Sequence, residues 1–370
     1  MNVRDVAAEI EKIASVRLAL DWDNVGLLVG SGEKTVDTIV LTIDISADVL
    51  EEARFAKADL IISYHPVIWD GLKTVTAEGT GKIVYELIRS NISVYSIHTA
   101  LDIATGGVND SLAEIVGIEN AKPIGDYVEN PGADMYKLVV FLPFDAVDRV
   151  SKAVFKAGAG SIGAYRDCGF QAAGVGTFFP LEGARPAIGT KGRLEKVDEI
   201  RFETVVPAAK ITDVIKAMRG SHPYEMPAFD LIKLCDVEKK YGLGRMGRLS
   251  RPKTLDEIMR ELKKATGART LGIVGKQKRT VKTAAVCAGS CGRLINIVIA
   301  EKCDLYVTGE LKHHQALAAS EGGTTCICLS HSVSERFILR KLARQLQKQL
   351  KGVKIIVSKK DSDPFNWKNI

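Results

Sequence analysis

The sequence lacks the features of membrane and exported proteins. No apolar stretch in its 370 residues approaches the roughly 20 uninterrupted residues that a membrane span needs. The first twenty residues carry scattered acidic side chains in an amphipathic period, so we expect the first helix of the fold there and not an export signal. The sequence therefore predicts a cytoplasmic protein without a membrane partner.

Paired cysteines at metal-binding or redox spacing are also missing. The seven cysteines include no Cys-x-x-Cys pair. Four lie in or beside apolar segments, where a reduced thiol packs as a small hydrophobe: Cys287, Cys303, Cys326 and Cys328. Core thiols are the simpler interpretation. Metal pairs at Cys287/Cys291 and Cys326/Cys328 are the alternative.

The chain has no large excess of one charge. Its net charge is +6, and acids and bases interleave along most of its length, so nucleic acid is not an expected partner. The densest basic stretch, residues 336–354, keeps leucine and isoleucine at near-helical spacing. This pattern predicts the solvated face of an amphipathic helix, with a phosphate-binding surface as the alternative.

The first third of the chain alternates strand-like and helix-like segments. Apolar strands are predicted at 38–44, 59–63 and 92–98, with helical segments between them. Near-continuous Val/Ile/Leu strands separated by helices are typical of a mostly parallel sheet that is covered on both faces.

The last third repeats this order. Thr38 to Asp59 and Thr283 to Asp304 are both steps of 21 residues, and the same alignment places Lys57 on Lys302. We therefore predict an α/β fold in which two related lobes form one metal-binding unit.

A different pattern separates the lobes. Residues 135–235 are predicted to follow the order βαββαβ, which is the split βαβ pattern of an α+β, ferredoxin-like domain. Breaker-rich segments flank this region. The predicted domains are a first lobe, a ferredoxin-like insert and a second lobe, at 1–127, 128–240 and 241–370.

Three of the six histidines, His65, His98 and His331, follow apolar strands. Ligands of an α/β sheet bind outside the carboxyl ends of its strands. Asp102 and Glu335 each lie four residues beyond a histidine, so on a helical turn each shares a face with it. Imidazole and carboxylate together suit zinc, iron or manganese. The sequence predicts a divalent metal site at these strand ends.

Several weaker patterns leave two interpretations open. Ser332 or Ser334 could cap a helix that begins near His331. The loop at 289–292 could accept a phosphate on its backbone or serve only as a tight turn. The segment 221–230 could form a ligand pocket around His222 and Glu225 or a Pro-bounded loop.

The chain resembles the GTP cyclohydrolase I type 2 homologues, also called NIF-three-like dinuclear metal proteins. The resemblance lies in six stretches: DWDNVGLLVG (21–30), ADLIISYHPVIW (58–69), SIHTALDIATGGVND (96–110), YVTGELKHH (306–314), SHSVSERF (330–337) and DSDPF (361–365). Members with a central insertion carry a PII-like, CutA-like fold there. The resemblance covers both outer lobes.

This resemblance implies one or two metal ions per chain. The implied ligands are His65, Asp102, His331 and Glu335, with Glu335 and Asp102 also expected to handle protons. The side chains implied to orient these ligands or touch substrate are His98, Tyr64, Glu310 and His314. Tyr64 stands where the family's His-His-Pro motif has its first histidine, so the second ion is expected to bind weakly or not at all.

The implied function is a metal-dependent hydrolase that acts on a nucleotide-like or phosphorylated small molecule. The alternative is a non-catalytic, metal-holding scaffold or regulator whose PII-like insert senses an effector. The resemblance also implies a homo-oligomer, a hexameric ring.

Overall fold

The computed structural model describes residues 1–128, 135–234, 241–276 and 280–365. The chain divides into two compact units. The first combines residues 1–129 with 240–370, and the second is 130–239. The predicted domain boundary at residue 240 lies outside the described residues.

The strands of the described chain are β1 (Gly26–Val29), β2 (Thr38–Thr42), β3 (Leu60–Ser63), β4 (Ser93–Ser96), β5 (Ile118–Ile124), β6 (Met135–Pro143), β7 (Gly169–Phe178), β8 (Glu195–Pro207), β9 (Phe229–Lys233), β10 (Gly244–Lys253), β11 (Gly272–Val274), β12 (Val281–Cys287), β13 (Leu305–Thr308), β14 (Thr325–Cys328) and β15 (Lys354–Val357). The α-helices are α1 (Val3–Ile13), α2 (Ala47–Phe55), α3 (Lys82–Arg89), α4 (His98–Ile103), α5 (Val108–Val116), α6 (Val147–Lys156), α7 (Ile211–Ser221), α8 (Leu255–Thr266), α9 (Ile295–Ala300), α10 (His313–Glu321), α11 (Val333–Arg336) and α12 (Ile338–Gln349). No helix in these described parts has the length and apolar character needed to cross a membrane.

The first unit contains two sheets. One has the strand order β1-β4-β3-β2-β15, with β4, β3, β2 and β15 parallel. The other has the order β11-β14-β13-β12-β10-β5, with β12, β13 and β14 parallel at its centre. The predicted α/β fold with two related lobes is confirmed. Each sheet also takes a strand from the opposite half of the chain, β15 in the first and β5 in the second.

The two halves share local details as well as order. The carboxylate of Asp59 accepts hydrogen bonds from the backbone at the start of β2, and Asp304 does the same at the start of β12. Lys57 and Lys302, the paired lysines of the 21-residue step, both have left-handed backbones, with φ of 53° and 54°. The repeat seen in the sequence is therefore also a structural repeat.

A continuous apolar core joins the two sheets of the first unit. It includes Ile39 and Leu41 of β2, Tyr306 of β13, and Leu339 and Leu342 of α12. The basic stretch forms the predicted amphipathic helix, whose apolar side chains are buried. The side chains of Cys287, Cys303 and Cys326 are buried in the same core, which favours core packing as their role.

The second unit has the element order β6-α6-β7-β8-α7-β9. Its antiparallel sheet has the order β7-β8-β6-β9. The apolar side chains of α6 and α7 pack on the sheet around Val140 and Phe202.

Candidate metal centre

His65 and His331 extend from the carboxyl ends of strands in different sheets. β3 ends at Ser63, and the His65 amide then donates to the carbonyl of Ile43, which holds the turn against the neighbouring strand end. His331 follows β14 after Ser330, whose φ of 71° turns the chain sharply toward α11. The shared core of the two sheets brings these two strand ends together.

Glu335 of α11 lies between the two imidazoles. Its Oε2 is 3.4 Å from His65 Nε2, and its Oε1 is 3.3 Å from His331 Nε2. One ligand atom from each of the three side chains can be chosen so that all lie within 4.8 Å of one another. His65 and Glu335 are buried, whereas the His331 side chain is 37% exposed, so the cluster opens to solvent beside His331.

Carboxylates at the far side of each ring determine which nitrogen carries hydrogen. His65 Nδ1 lies 2.9 Å from Asp44 Oδ1, and His331 Nδ1 lies 3.1 Å from Glu310 Oε1. Because an ionised carboxylate only accepts hydrogen bonds, each Nδ1 carries the proton in the neutral ring and each Nε2 presents a lone pair. This carboxylate–histidine arrangement is the one that orients histidine ligands of metals.

The three atoms that face one another are therefore all acceptors. Within the described residues, His65 Nε2 and Glu335 Oε2 are buried without a hydrogen-bond partner. Acceptors that converge without a donor are unfavourable unless a cation or added protons lie between them. Two imidazoles and a carboxylate are a donor set suited to zinc, iron or manganese, so the residues present fit a divalent ion.

Burial and neighbouring charge raise the cost of ionising Glu335. Burial raises the pKa of the Glu335 carboxyl well above its ordinary value, and the negative charges of Asp102 and other neighbours add to the effect. A bound cation would favour the ionised form.

Asp102 lies beside this cluster and is held by Tyr64. The Tyr64 hydroxyl donates to Asp102 Oδ1, and both side chains are buried. Burial raises the pKa of Tyr64 well above its ordinary value, with Asp102 and Glu335 contributing, so the phenol stays neutral. Burial likewise raises the pKa of Asp102. The three-residue cluster does not include Asp102, whose role as a ligand stays a prediction.

His98, which is expected to orient a metal ligand or to touch substrate, lies next to the cluster and is itself oriented by Asp23. Its ring centroid is 5.1 Å from that of His65. Its Nδ1 pairs with Asp23 Oδ1 at 2.9 Å, not with Asp102. Burial raises the pKa of Asp23, but hydrogen bonds from His98 and Thr99 outweigh it and the net pKa is lowered, so Asp23 stays ionised.

Glu310 and His314 are the two remaining predicted residues. Glu310 contacts His331 directly, as the hydrogen bond to Nδ1 shows. His314 is exposed near the start of α10, and its ring packs edge-on against His313. No hydrogen bond in the described parts of the chain joins His314 to the cluster.

The sequence patterns did not identify two acids of the site, Asp44 and Asp23. Asp44 follows β2 by two residues, and a carboxylate at that strand end was an available signal. Asp23 lies in the quoted DWDNVG stretch, but the sequence does not show which histidine it contacts.

The Gly289 loop and Ser334 form hydrogen bonds that involve backbone groups next to the cluster. The Gly289 amide donates to Ser334 Oγ, so this N–H is already used and is not available to a phosphate. Gly289 has a φ of +69°, and a Cβ there would lie 2.5 Å from Glu335 Oε1. Neither Ser332 nor Ser334 supplies a side-chain cap; Ser334 Oγ donates instead to the carbonyl of His331.

Known proteins match this chain over nearly its whole length. The sequence profile of the family described as Duf34/NIF3 (NGG1p interacting factor 3) matches residues 1–364. Curated relatives from Halalkalibacterium halodurans and Bacillus subtilis, each named GTP cyclohydrolase 1 type 2 homolog, are both 34% identical over 371 residues, covering 99% of either chain. The crystal structure of a Bacillus cereus protein related to NIF3 is 33% identical, with a TM-score of 0.83 over 99% of both chains. The chain therefore belongs to the Duf34/NIF3 family.

Proposed function

We propose that this protein is a divalent-metal-dependent hydrolase that acts on a nucleotide-like or phosphorylated small molecule. The observation that carries the proposal is the convergence of His65, His331 and Glu335, with His65 Nε2 and Glu335 Oε2 buried and unpartnered. The name that the relatives carry, GTP cyclohydrolase 1 type 2 homolog, adds a nucleotide as one candidate substrate class.

Zinc, iron or manganese would be held by His65, His331 and Glu335, and Asp102 is the proposed fourth ligand. When bound, such an ion supplies Lewis acidity and lowers the pKa of a coordinated water toward neutrality. Asp44 and Glu310 keep the two imidazoles in the tautomer that binds metal.

Asp102 and Glu335 are the proposed proton-handling groups. Both are buried carboxyls with raised pKa values, and burial is the largest cause in each case. A carboxyl group with a raised pKa can accept a proton near neutral pH more readily than an ordinary surface carboxylate. The Tyr64 hydroxyl holds Asp102 Oδ1 in place.

We propose one firmly bound ion per chain. Tyr64 occupies the place of the family's additional histidine, and its hydroxyl already donates to Asp102. A neutral, buried phenol is a poor metal ligand. Tyr64→His is expected to raise the metal content toward two ions per chain, as measured by element analysis. Unchanged content would show that Tyr64 does not limit the second site.

Hydrolysis assays test the proposal directly. The metal-loaded protein is incubated with a panel of nucleotides and phosphoesters, and product release is measured. We expect turnover that His331→Ala abolishes and that His313→Ala, a matched change at an exposed histidine, preserves. Turnover that survives His331→Ala would contradict the proposed site.

The second candidate is a metal-holding scaffold or regulator with effector sensing by residues 130–239. We propose that this unit is a ferredoxin-like domain of the PII type, which its βαββαβ order and its strand order support. It contains a cavity of about 540 Å³ that is lined mainly by apolar side chains. The charged side chains of Glu199 and Arg201 also line it. A cavity of this size and lining suits a small molecule.

Filling the cavity separates this candidate from the first. A Cβ at Gly174, which lines the cavity, meets no atom within 4 Å, so Gly174→Trp adds a large side chain to the lining without a clash at its Cβ. Effector sensing predicts that an extract of cellular small molecules stabilises the wild type and Gly174→Ala against thermal unfolding and that Gly174→Trp loses this response. A response that survives Gly174→Trp would contradict effector binding in this cavity.

We further propose that the protein is cytoplasmic and forms a homo-oligomer, a hexameric ring, as the resemblance of its sequence to the family implies. Sedimentation analysis of the purified protein tests the assembly, and a monomer at micromolar concentration would contradict it.

A further inference from the structure

Two exposed tryptophans contact the imidazole of His98 beside the metal cluster. Trp22 is 56% exposed and Trp69 is 54% exposed. Their ring centroids lie 5.7 Å and 5.3 Å from that of His98, both in edge-to-face geometry. Trp69 also lies 5.7 Å from the ring of His65. Exposed aromatic side chains next to buried polar side chains are common in binding sites.

Hydrogen bonds hold the two loops that carry these indoles. The Asn24 side-chain amide donates to the carbonyl of Ile68 at 2.7 Å and so links the Trp22 loop to the Trp69 loop. The Leu20 amide donates to Thr99 Oγ1 at 3.0 Å, which anchors the first loop to α4. The two loops are therefore linked and anchored before any ligand arrives, which lowers the entropic cost of binding.

A polar cavity of about 760 Å³ adjoins Trp22. Its lining combines two aromatic rings, two guanidinium groups and two carboxylates: Trp22, Tyr127, Arg17, Arg293, Asp21 and Asp126. Arg293 and Asp126 pair at 2.5 Å. Such a lining offers both donors and acceptors, so it suits the hydrogen-bonding edge of a ring and its charged substituents better than a purely apolar partner.

We propose that Trp22 and Trp69 bind a planar nitrogen heterocycle of the purine type by stacking and present it to the metal cluster. This inference rests on the proposed function, because it assigns the substrate class of the same site. Trp69 contacts His65, so a ring stacked on Trp69 would lie next to a metal ligand. The cavity beyond Trp22 would take the polar substituents of the heterocycle.

Calorimetric titration of the full-length, metal-loaded protein tests the proposal with three probes. These are guanosine monophosphate, adenosine monophosphate and ribose 5-phosphate, which lacks the ring. We expect the two nucleotides to bind at least about 10-fold more tightly than ribose 5-phosphate, equivalent to about 1.4 kcal/mol. Stacking contributions of this size are usual for a base on an aromatic side chain.

Substitutions show whether the indoles carry the binding. Trp22→Ala and Trp69→Ala should each weaken nucleotide binding about 10-fold, whereas Trp69→Phe should keep most of it. The control is Phe55→Ala, which removes a 93% exposed aromatic ring at the end of α2. In a Trp367→Phe background, nucleotide binding should also quench the fluorescence of the two remaining tryptophans.

Three results would overturn the proposal. They are equal binding of ribose 5-phosphate and the nucleotides, unchanged nucleotide affinity in both alanine variants, and no nucleotide binding at millimolar concentration. A change in sedimentation of Trp69→Ala with unchanged nucleotide affinity would assign the indoles to contact with a second copy of the chain. Element analysis of the same samples separates the two hypotheses. Bound metal without nucleotide binding would contradict only the proposed stacking site. Nucleotide binding without bound metal would contradict only the proposed metal-dependent function.

Discussion

Replacement of Glu335 by glutamine should stabilise the metal-free protein and remove its response to metal. Glu335 is 3% exposed, and its two oxygens face acceptor nitrogens at 3.3 and 3.4 Å. Burial and neighbouring carboxylates raise the pKa of this group, so its ionised form is unfavourable without a cation. Glutamine keeps the shape, removes the charge and supplies an N–H that either Nε2 can accept.

The expected magnitudes follow from the orphaned atoms of the cluster. A buried polar group without a partner costs about 1–3 kcal/mol, so Glu335→Gln should raise the free energy of unfolding of the metal-free protein by about that amount. The corresponding rise in Tm is about 1–2 °C per kcal/mol for a chain of this length. Metal at about 1,000 times its Kd should stabilise the wild type by about 4 kcal/mol and the variant far less.

Thermal unfolding in chelator and in added zinc or manganese is the assay. The order of stability should reverse between the two conditions, with the variant higher in chelator and the wild type higher in metal. Glu321→Gln is the matched control, since Glu321 is an exposed carboxylate at the end of α10 and has no role in the cluster. A variant that is less stable in chelator and still gains the full metal-induced shift would refute the reasoning.

Three further predictions test neighbouring parts of the structure. Asp44→Asn should weaken metal binding about 10- to 100-fold in chelator competition, because Asp44 fixes the tautomer of His65; unchanged affinity would exclude this role. Gly289→Ala should destabilise the fold by about 1–3 kcal/mol and lower metal content, because the new Cβ would meet Glu335 Oε1 from a left-handed backbone; urea unfolding and element analysis would show wild-type values if this is wrong. Burial raises the pKa of Glu52, but hydrogen bonds from Ser358 and the following amides outweigh it and the net pKa lies below the ordinary 4.5. Stability from Glu52 is therefore present above pH 4.5 and lost as the pH falls through the lowered pKa, so Glu52→Gln should be less stable than the wild type at pH 7, and this difference in urea unfolding should shrink as the pH falls through the lowered pKa; a difference that does not change with pH would contradict this assignment.

The local pattern of the chain predicted the strand ends and their histidines. Apolar runs of four to seven residues are visible in the sequence, and the 21-residue repeat related Asp59 to Asp304 before their equivalent hydrogen bonds were known. The i,i+4 spacing likewise placed His331 beside Glu335, as the 3.3 Å approach confirms.

These patterns did not predict which strands pair when they are distant in the sequence. β15 pairs with β2 and β5 pairs with β10, so each sheet takes an edge strand from the other half of the chain. A period-2 or period-3.6 pattern reports which face of a segment is buried, but not which strand it lies beside. The same limit hid the partners of the histidines, because Asp44 and Asp23 are distant in sequence from the rings they orient.

Tyr64 shows how one substitution changes the interpretation of a motif. The sequence indicated only that an imidazole is missing there. The structure adds that the phenol is buried and donates to Asp102, a role that requires its hydroxyl hydrogen.

Element analysis of protein purified without added metal tests the central claim most directly. The convergence of His65, His331 and Glu335 predicts about one zinc, iron or manganese ion per chain in the wild type, loss of that ion in His331→Ala and Glu335→Gln, and its retention in His313→Ala. A wild type without a stoichiometric transition metal, or equal metal content in all four proteins, would contradict the account.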